Sequence, residues 1–263
     1  MIDGATRLYC IIGDPIAQVR SPEVFTQRFV AAGINAALLP VHVPVDAFDR
    51  IVPGLLDVGN LDGVLVTVPF KRRMLPFASR VGRTASVIGA VNALRREADG
   101  SWSGDMFDGI GFVNAARQKA PLPGRRVLMF GAGGAGSAIA CALAEAGVAS
   151  IDMIDPDAGR AEVLATRLHK AFPACRFTPV RRAEGDFDLV VNASPVGMAL
   201  EDGLPGEIPD LRRETLVGDV VVRETPSALI CHAMDQGCAC VTGRDMHAGQ
   251  VDAILQFFAD RPA

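Results

Sequence analysis

The sequence predicts a two-domain α/β protein built on largely parallel sheets. Three observations carry this. Strand-like and helix-like runs alternate along the whole 263-residue chain. A Gly131-x-Gly133-x-x-Gly136 turn sits between a strand-like and a helix-like run. A stiff Pro121-Leu122-Pro123-Gly124 connection separates two such series. Short apolar runs alternating with helical ones are the pattern of βαβ units, and the length suits two ordinary domains.

In the first series, residues 8–12 are apolar and β-branched and meet a Gly13-Asp14-Pro15 turn. Ser21-Pro22 then suits the N-cap and first position of a helix, in which Val24, Phe25 and Phe29 recur at helical spacing until Gly33 stops it. Strands are expected over 37–43 and 63–68, with a helix over 46–58 between them, and short helices over 71–90. Residues 91–96 and 101–106 flank Asp99-Gly100, a hairpin signal. A helix from Asp108-Gly109 to about 119 leads into the Pro121–Gly124 connection, after which a new unit starts. There, strand 126–130, the glycine turn, helix 137–146 and strand 151–154 form one βαβ unit. Strands at 189–192, 216–222 and 238–241 and helices at 159–171, 227–236 and 245–259 complete the series.

The chain carries 30 acidic and 26 basic residues, a net charge of −4 with no long run of either sign, so the electrostatic footprint of a nucleic-acid binder is missing. No apolar run approaches the roughly 18 to 20 residues that cross a bilayer, and the first residues lack a signal-peptide pattern. Six dispersed cysteines with no CxxC pair read as reduced thiols, so a cytoplasmic location and no metal are expected. Cys238, Cys240 and His232 are the nearest approach to a metal set, against which stands a reading as buried structural cysteines.

Gly131, Gly133, Gly134, Ala135 and Gly136 form a turn whose backbone N–H groups and following helix would face a pyrophosphate. Asp155 ends the next strand, where a carboxylate accepts hydrogen bonds from ribose hydroxyls. A 2′-phosphate would be repelled by Asp155 and Asp157, and Pro156 stands where a basic residue would help, so NAD is expected over NADP. The alternatives are a plain tight turn and a solvated strand end.

GDPIAQVRSP at 13–22, VTVPFK at 66–71, GAVNAL at 89–94 and GDMFDG at 104–109 are combinations that propensity does not explain. With GAGGAG at 131–136, NASPVGM at 192–198, the Glu224-Thr225-Pro226 turn and Gln250, the chain resembles the shikimate dehydrogenase family over essentially its whole length. The resemblance implies an N-terminal substrate domain, a C-terminal Rossmann-type NAD(P)-binding domain, a cleft between them and a last helix that packs back on the first domain. The division would be residues 1–109 with 245–263, and 110–244. It implies an enzyme of the shikimate pathway acting on the CH–OH group of a cyclic hydroxy acid, as monomer or homodimer.

Carried over by motif, the catalytic pair is Lys71 and Asp108. Oxidising a secondary alcohol requires removal of the hydroxyl proton as hydride leaves the same carbon, so an ionisable group must reach that oxygen. Desolvation would bring Lys71 toward neutrality, and Asp108 would hold it. Otherwise Lys71 reads as a solvated helix start and Asp108 as a helix cap. The resemblance also implies Ser21, Thr67, Asn92 and Gln250 as substrate-binding residues, with Ser21 alternatively an N-cap, and Asn192, Ser194, Val221 and Gly243 as cofactor-binding ones.

Four family positions are apolar here: Val19 at the first serine of a carboxylate clamp, Leu65 at an asparagine, Phe107 at a threonine and Val222 at a tyrosine. A hydrogen bond to a charged group is worth roughly 1.5 to 3 kcal/mol, so losing two costs on the order of a hundredfold in affinity. Arg20 or Arg223 is a candidate replacement charge. Three other readings stand beside a shikimate enzyme: a dehydrogenase of quinate or an aminoshikimate-like compound, a non-catalytic nucleotide or metabolite sensor, and a related enzyme acting on a folate or aldehyde. The last would lack the VTVPFK and GAVNAL pair.

Overall fold

The computed structural model describes residues 2–199 and 201–260. The chain forms two compact units, Met1–Met106 with Asp252–Ala263, and Phe107–Val251.

Unit 1 contains β1 (Arg7–Gly13), α1 (Ser21–Ala31), β2 (Ala36–His42), α2 (Phe48–Leu56), β3 (Leu61–Val66), β4 (Arg80–Val81), α3 (Arg83–Ile88), β5 (Ala93–Arg96) and β6 (Trp102–Asp105). Its sheet runs β2-β1-β3-β5-β6-β4. β1 pairs parallel with β2 and β3, whereas β5 is antiparallel to β3 and β6, so the sheet is mixed. β3 is buried at every position, as expected of a strand covered on both faces.

α1 begins at Ser21 itself, with Arg20 at the N-cap position and no side-chain cap. Ser21 is buried in the first turn, which corrects its reading as a cap. The expected 46–58 helix is a 3-10 turn at Val45–Ala47 followed by α2. Within 71–90 the chain makes a 3-10 turn at Leu75–Phe77, an unforeseen strand β4 and α3. Two residues of β4 carry too little pattern to read. They are held because Ser79 N–H and Gly82 N–H donate to the carbonyls of Trp102 and Gly104. The 99–100 hairpin forms, with Gly100 at φ +83° and Glu97 N–H bonded to the Ser101 carbonyl.

Unit 2 contains α4 (Asp108–Arg117), β7 (Arg126–Phe130), α5 (Gly134–Glu145), β8 (Ser150–Ile154), α6 (Ala158–Ala171), β9 (Arg176–Pro179), β10 (Leu189–Asn192), β11 (Leu216–Asp219), α7 (Ala228–Asp235) and β12 (Ala239–Val241). The order β12-β11-β10-β7-β8-β9 is wholly parallel. This is the doubly wound order, with its switch between β7 and β10, where such sheets bind ligands. Leu128, Phe130, Phe187 and Val190 form one core cluster and Val217, Leu229, Ala233 and Cys238 another. The edge strand β9 was not foreseen, since it is short and ends in Pro179. β11 stops at Asp219 instead of 222 because the Asp219 carboxylate takes the Val221 N–H.

The units divide at 106/107, before α4, and not in the 121–124 connection. α4 lies along α5 so closely that a Cβ on Gly109 would overlap the Ala138 carbonyl. The last helix, α8 (Gly243–Ala259), contributes to both units. Against the expected 109/110 and 244/245, the joins fall at 106/107 and 251/252. In unit 1 the end of α8 packs on the first sheet: Phe258 meets Tyr9 at 4.8 Å between ring centroids, and Tyr9 meets Phe29 at 4.7 Å. A fully buried ring contributes roughly 1.5–3 kcal/mol, plus about 0.5–1.5 kcal/mol for each favourable ring pair.

Candidate functional site

The expected site residues fall into two groups, one per unit. In unit 1, β3 ends at Val66, Thr67 follows, and a cis Val68–Pro69 peptide turns the chain so that Phe70 plunges into the core. Phe70 stacks on Phe48 at 4.7 Å, and the Arg73 guanidinium lies 4.2 Å over Phe48 while donating to the Val45 carbonyl at 2.8 Å. Between these two anchors stands Lys71, half-buried, its carbonyl accepting from Val91 N–H at 3.0 Å. The next residue, Asn92, is buried. Its carbonyl accepts from Val66 N–H at 2.8 Å and its N–H donates to the Asp105 carbonyl at 3.0 Å. The carboxyl end of β3 therefore gathers Thr67, Lys71 and Asn92. Gly13, at the end of β1, has no room for a Cβ, which would overlap the Thr67 methyl.

Of the apolar positions, Leu65 and Phe107 are buried, Val19 is half-buried and Val222 is 56% exposed. The two candidate replacement charges have protein partners. Arg20 is exposed and 3.9 Å from Glu23, and Arg223 donates to the carbonyls of Gly197 and Ala199 and so braces that loop.

In unit 2, Asp108 occupies the first turn of α4, buried, with Phe107 at the N-cap position and no side-chain cap, so it is not the helix cap. Gln250 lies on α8 in the same unit. The glycine turn is built for close approach. Gly131 has φ +97°, and a Cβ there would sit 2.8 Å from the Ala193 carbonyl oxygen and the Ser194 nitrogen; on Gly136 it would overlap the Gly131 carbonyl. Gly133 precedes α5, and Gly134 and Ala135 begin it, exposing the helix N-terminus at the end of β7. Gly243 is equally restricted, its Cβ position lying 2.6 Å from the carbonyl oxygens of Val220 and Val221.

Asp155 is latched to this turn: Ala132 N–H donates to Oδ2 at 2.7 Å and Asp157 N–H to Oδ1 at 2.9 Å. Arg160 reaches Asp155 and Asp157, each at 3.6 Å. Sequence reading missed Arg160, although its place three residues after Asp157, which caps α6, was the available signal. Asn192 is fully buried: its Nδ2 donates to the Val196 carbonyl and Asp219, and its Oδ1 accepts from Ser194 N–H and Oγ. Asn192 thus shapes the 193–197 loop from within.

Asp219, also unforeseen, ties Asn192, Val221 and Ser227 together. Burial pushes its carboxyl up, against the hydrogen bonds from Ser227, Val221 and Asn192. It lines a cavity of about 110 Å³ with Val221, Thr225, Ser227, Thr242 and Arg244 at the ends of β11 and β12. Cys238 is buried, and burial pushes the half-buried Cys240 thiol up to about 11; among the described residues no three metal-ligating side chains come together.

The family model described as the shikimate dehydrogenase substrate binding domain matches residues 11–94. The shikimate dehydrogenase (NADP(+)) of Rubrobacter xylanophilus is 37% identical over 253 residues, covering 93% of this chain and 88% of its own. The chain belongs to the shikimate dehydrogenase family. The enzyme of the same name from Rhodospirillum rubrum is 33% identical, covering 95% and 91%. Among solved structures of similar fold, the ligand-free 5-ketofructose reductase of Gluconobacter sp. strain CHM43 has a TM-score of 0.86 at 26% identity, covering 97% of this chain and 94% of its own. Listeria monocytogenes shikimate 5-dehydrogenase with shikimate and NAD gives 0.85 at 26%, covering 99% and 94%. Quinate dehydrogenase of Corynebacterium glutamicum with NAD gives 0.83 at 28%, covering 96% and 93%.

Proposed function

We propose that the protein is a nicotinamide-dependent oxidoreductase that interconverts a ring secondary alcohol and its ketone, on shikimate or a related cyclic hydroxy acid, with NAD preferred to NADP. The observation that carries the reading is the packing of Thr67, Lys71 and Asn92 at the end of β3 in a member of this family that also keeps Asp108. A dinucleotide suits unit 2, because Gly131, Gly136 and Gly243 let backbone segments pack too closely for a Cβ, while Gly133 and Gly134 leave open space at the N-terminus of α5. Bound there, it supplies the hydride acceptor and donor. Gly131 to Gly136 and the N-terminus of α5 would hold its pyrophosphate, and Asp155 would hold its ribose.

Lys71 accepts the hydroxyl proton as the alcohol is oxidised and returns it on reduction. Asn92 binds a neighbouring hydroxyl, and Asp108 is the second member of the family's catalytic pair. Ser21, Thr67 and Gln250 complete the polar contacts. The preference for NAD rests on charge: two carboxylates, Asp155 and Asp157, face one guanidinium, Arg160, at the end of β8, which disfavours a dianionic 2′-phosphate. The relatives named for NADP(+) make this the finer part of the proposal.

A second reading concerns the substrate. Val19 removes a clamp hydroxyl, which favours a substrate without a carboxylate, and the Gluconobacter relative is named for a keto sugar. Nicotinamide absorbance with shikimate, quinate and, in the reducing direction, 5-ketofructose, each with both cofactors, separates the readings. Turnover of shikimate or quinate that disappears in Lys71→Ala supports the first and turnover of the ketose alone the second. NAD binding without any turnover supports a sensor.

A further inference from the structure

The crossing of α4 and α8 within unit 2 brings the turn that carries His247 against the turn that carries Asp108. Gly111 and Gly249 meet so closely that a Cβ on Gly111 would overlap the Met246 carbonyl and lie 2.9 Å from Gln250 Cβ, while one on Gly249 would overlap the Gly111 carbonyl. Asn114 Nδ2 fastens the crossing by donating to the Gly249 carbonyl at 3.0 Å. The first turn of α4, 108–111, therefore lies against the 246–250 turn of α8. That turn carries His247, half-buried and three residues before Gln250, on the same side of the helix.

Among charged groups near this turn, Arg244 is exposed and lines the cavity beyond β12, and the Asp245 carboxylate accepts from Thr242 N–H and Oγ1, each at 2.8 Å. Asp108 is the charged group that acts on the imidazole. We propose that His247 is a positioning residue for Asp108, donating a ring N–H to the carboxylate and fixing the orientation in which it meets the substrate hydroxyl. Burial pushes the His247 imidazole below its ordinary range against the pull of Asp108, so the ring is neutral at neutral pH with one N–H to give.

The inference rests on the reading of Asp108 as a member of the proton-transferring pair. Full-length His247→Leu and His247→Asn are compared with wild type for kcat, KM and NAD affinity. Loss of one hydrogen bond to a charged group predicts a roughly 10- to 100-fold fall in kcat for His247→Leu. KM and NAD affinity should change little, and Asn, which keeps an N–H donor, should recover most of the loss. An unchanged kcat in His247→Leu, or equal losses in Leu and Asn, would overturn the proposal. Independently of turnover, NMR titration of His247 should show its midpoint falling in Asp108→Asn, because the carboxylate that favours the charged ring is gone; an unmoved midpoint also overturns it. If the wild type turns over no ring alcohol the functional reading fails, and the NMR titration alone then decides the pairing.

Discussion

Lys71, the proposed proton acceptor, is placed by the packing of its neighbours. Phe70 is driven into the core beside it, Arg73 clamps the next turn across the Phe48 ring, and the Lys71 carbonyl is held by Val91 N–H. Lys71→Ala should lower kcat by about 10²- to 10⁴-fold, the usual weight of a general acid–base group, with NAD affinity unaltered by fluorescence titration. Asp155 tests the cofactor preference. Asp155→Ser removes a charge and releases Arg160, so the NADP-to-NAD ratio of kcat/KM should rise by on the order of tenfold, equivalent to about 1.4 kcal/mol. An unchanged ratio would remove the electrostatic argument. Lys71, Asp108 and Asp155 were legible because they sit in local motifs. Arg160, Asp219 and His247 were not, since what they do depends on neighbours far away in the chain.

Among the elements, the two ends of α8 serve different units, and each end has its own fastening. At the Gly111–Gly249 crossing a methyl group has nowhere to go, so Gly111→Ala should lower the thermal midpoint and cost activity, because the turn bearing Asp108 is displaced. In unit 1, buried Arg95 donates to the Phe257 carbonyl at 2.5 Å, stacks 4.7 Å from its ring and pairs with buried Glu97 at 2.6 Å. Burial pushes the Glu97 carboxyl up, but Ser103, Arg95 and Arg80 together outweigh it and leave it below its ordinary value of 4.5. Its stabilisation is thus fully present above about pH 4.5 and lost as pH falls through the depressed value. Glu97→Gln should destabilise at pH 7 by on the order of 3 kcal/mol, by leaving Arg95 without its counter-charge. The gap to wild type should close in denaturant titrations as pH falls through that depressed value. A gap that persists in acid would mean lost packing instead.

For the whole molecule, two sheets with separate cores mean that a ligand held by one unit stabilises that unit first. NAD at about a hundred times its Kd should add roughly 2.7 kcal/mol. Hydrogen-exchange protection should rise at 131–136 and 155–160 and leave the unit 1 strands unchanged; a uniform rise would argue against a cradle confined to unit 2. The α/β class, the glycine turn with its acidic partner, the hairpin at 99–100 and the family itself were all determined by sequence alone. Each is written in local periodicity or in a few adjacent residues whose conformational demands do not depend on the rest of the chain. Tertiary structure alone decided where the units divide, that β4 and β9 exist, that Asn192 turns inward and that α4 and α8 touch at Gly111 and Gly249. Each of these is settled by packing between residues distant in sequence: α4 against α5, an edge strand against its neighbour, a buried amide against Asp219, and two glycines that let helices touch.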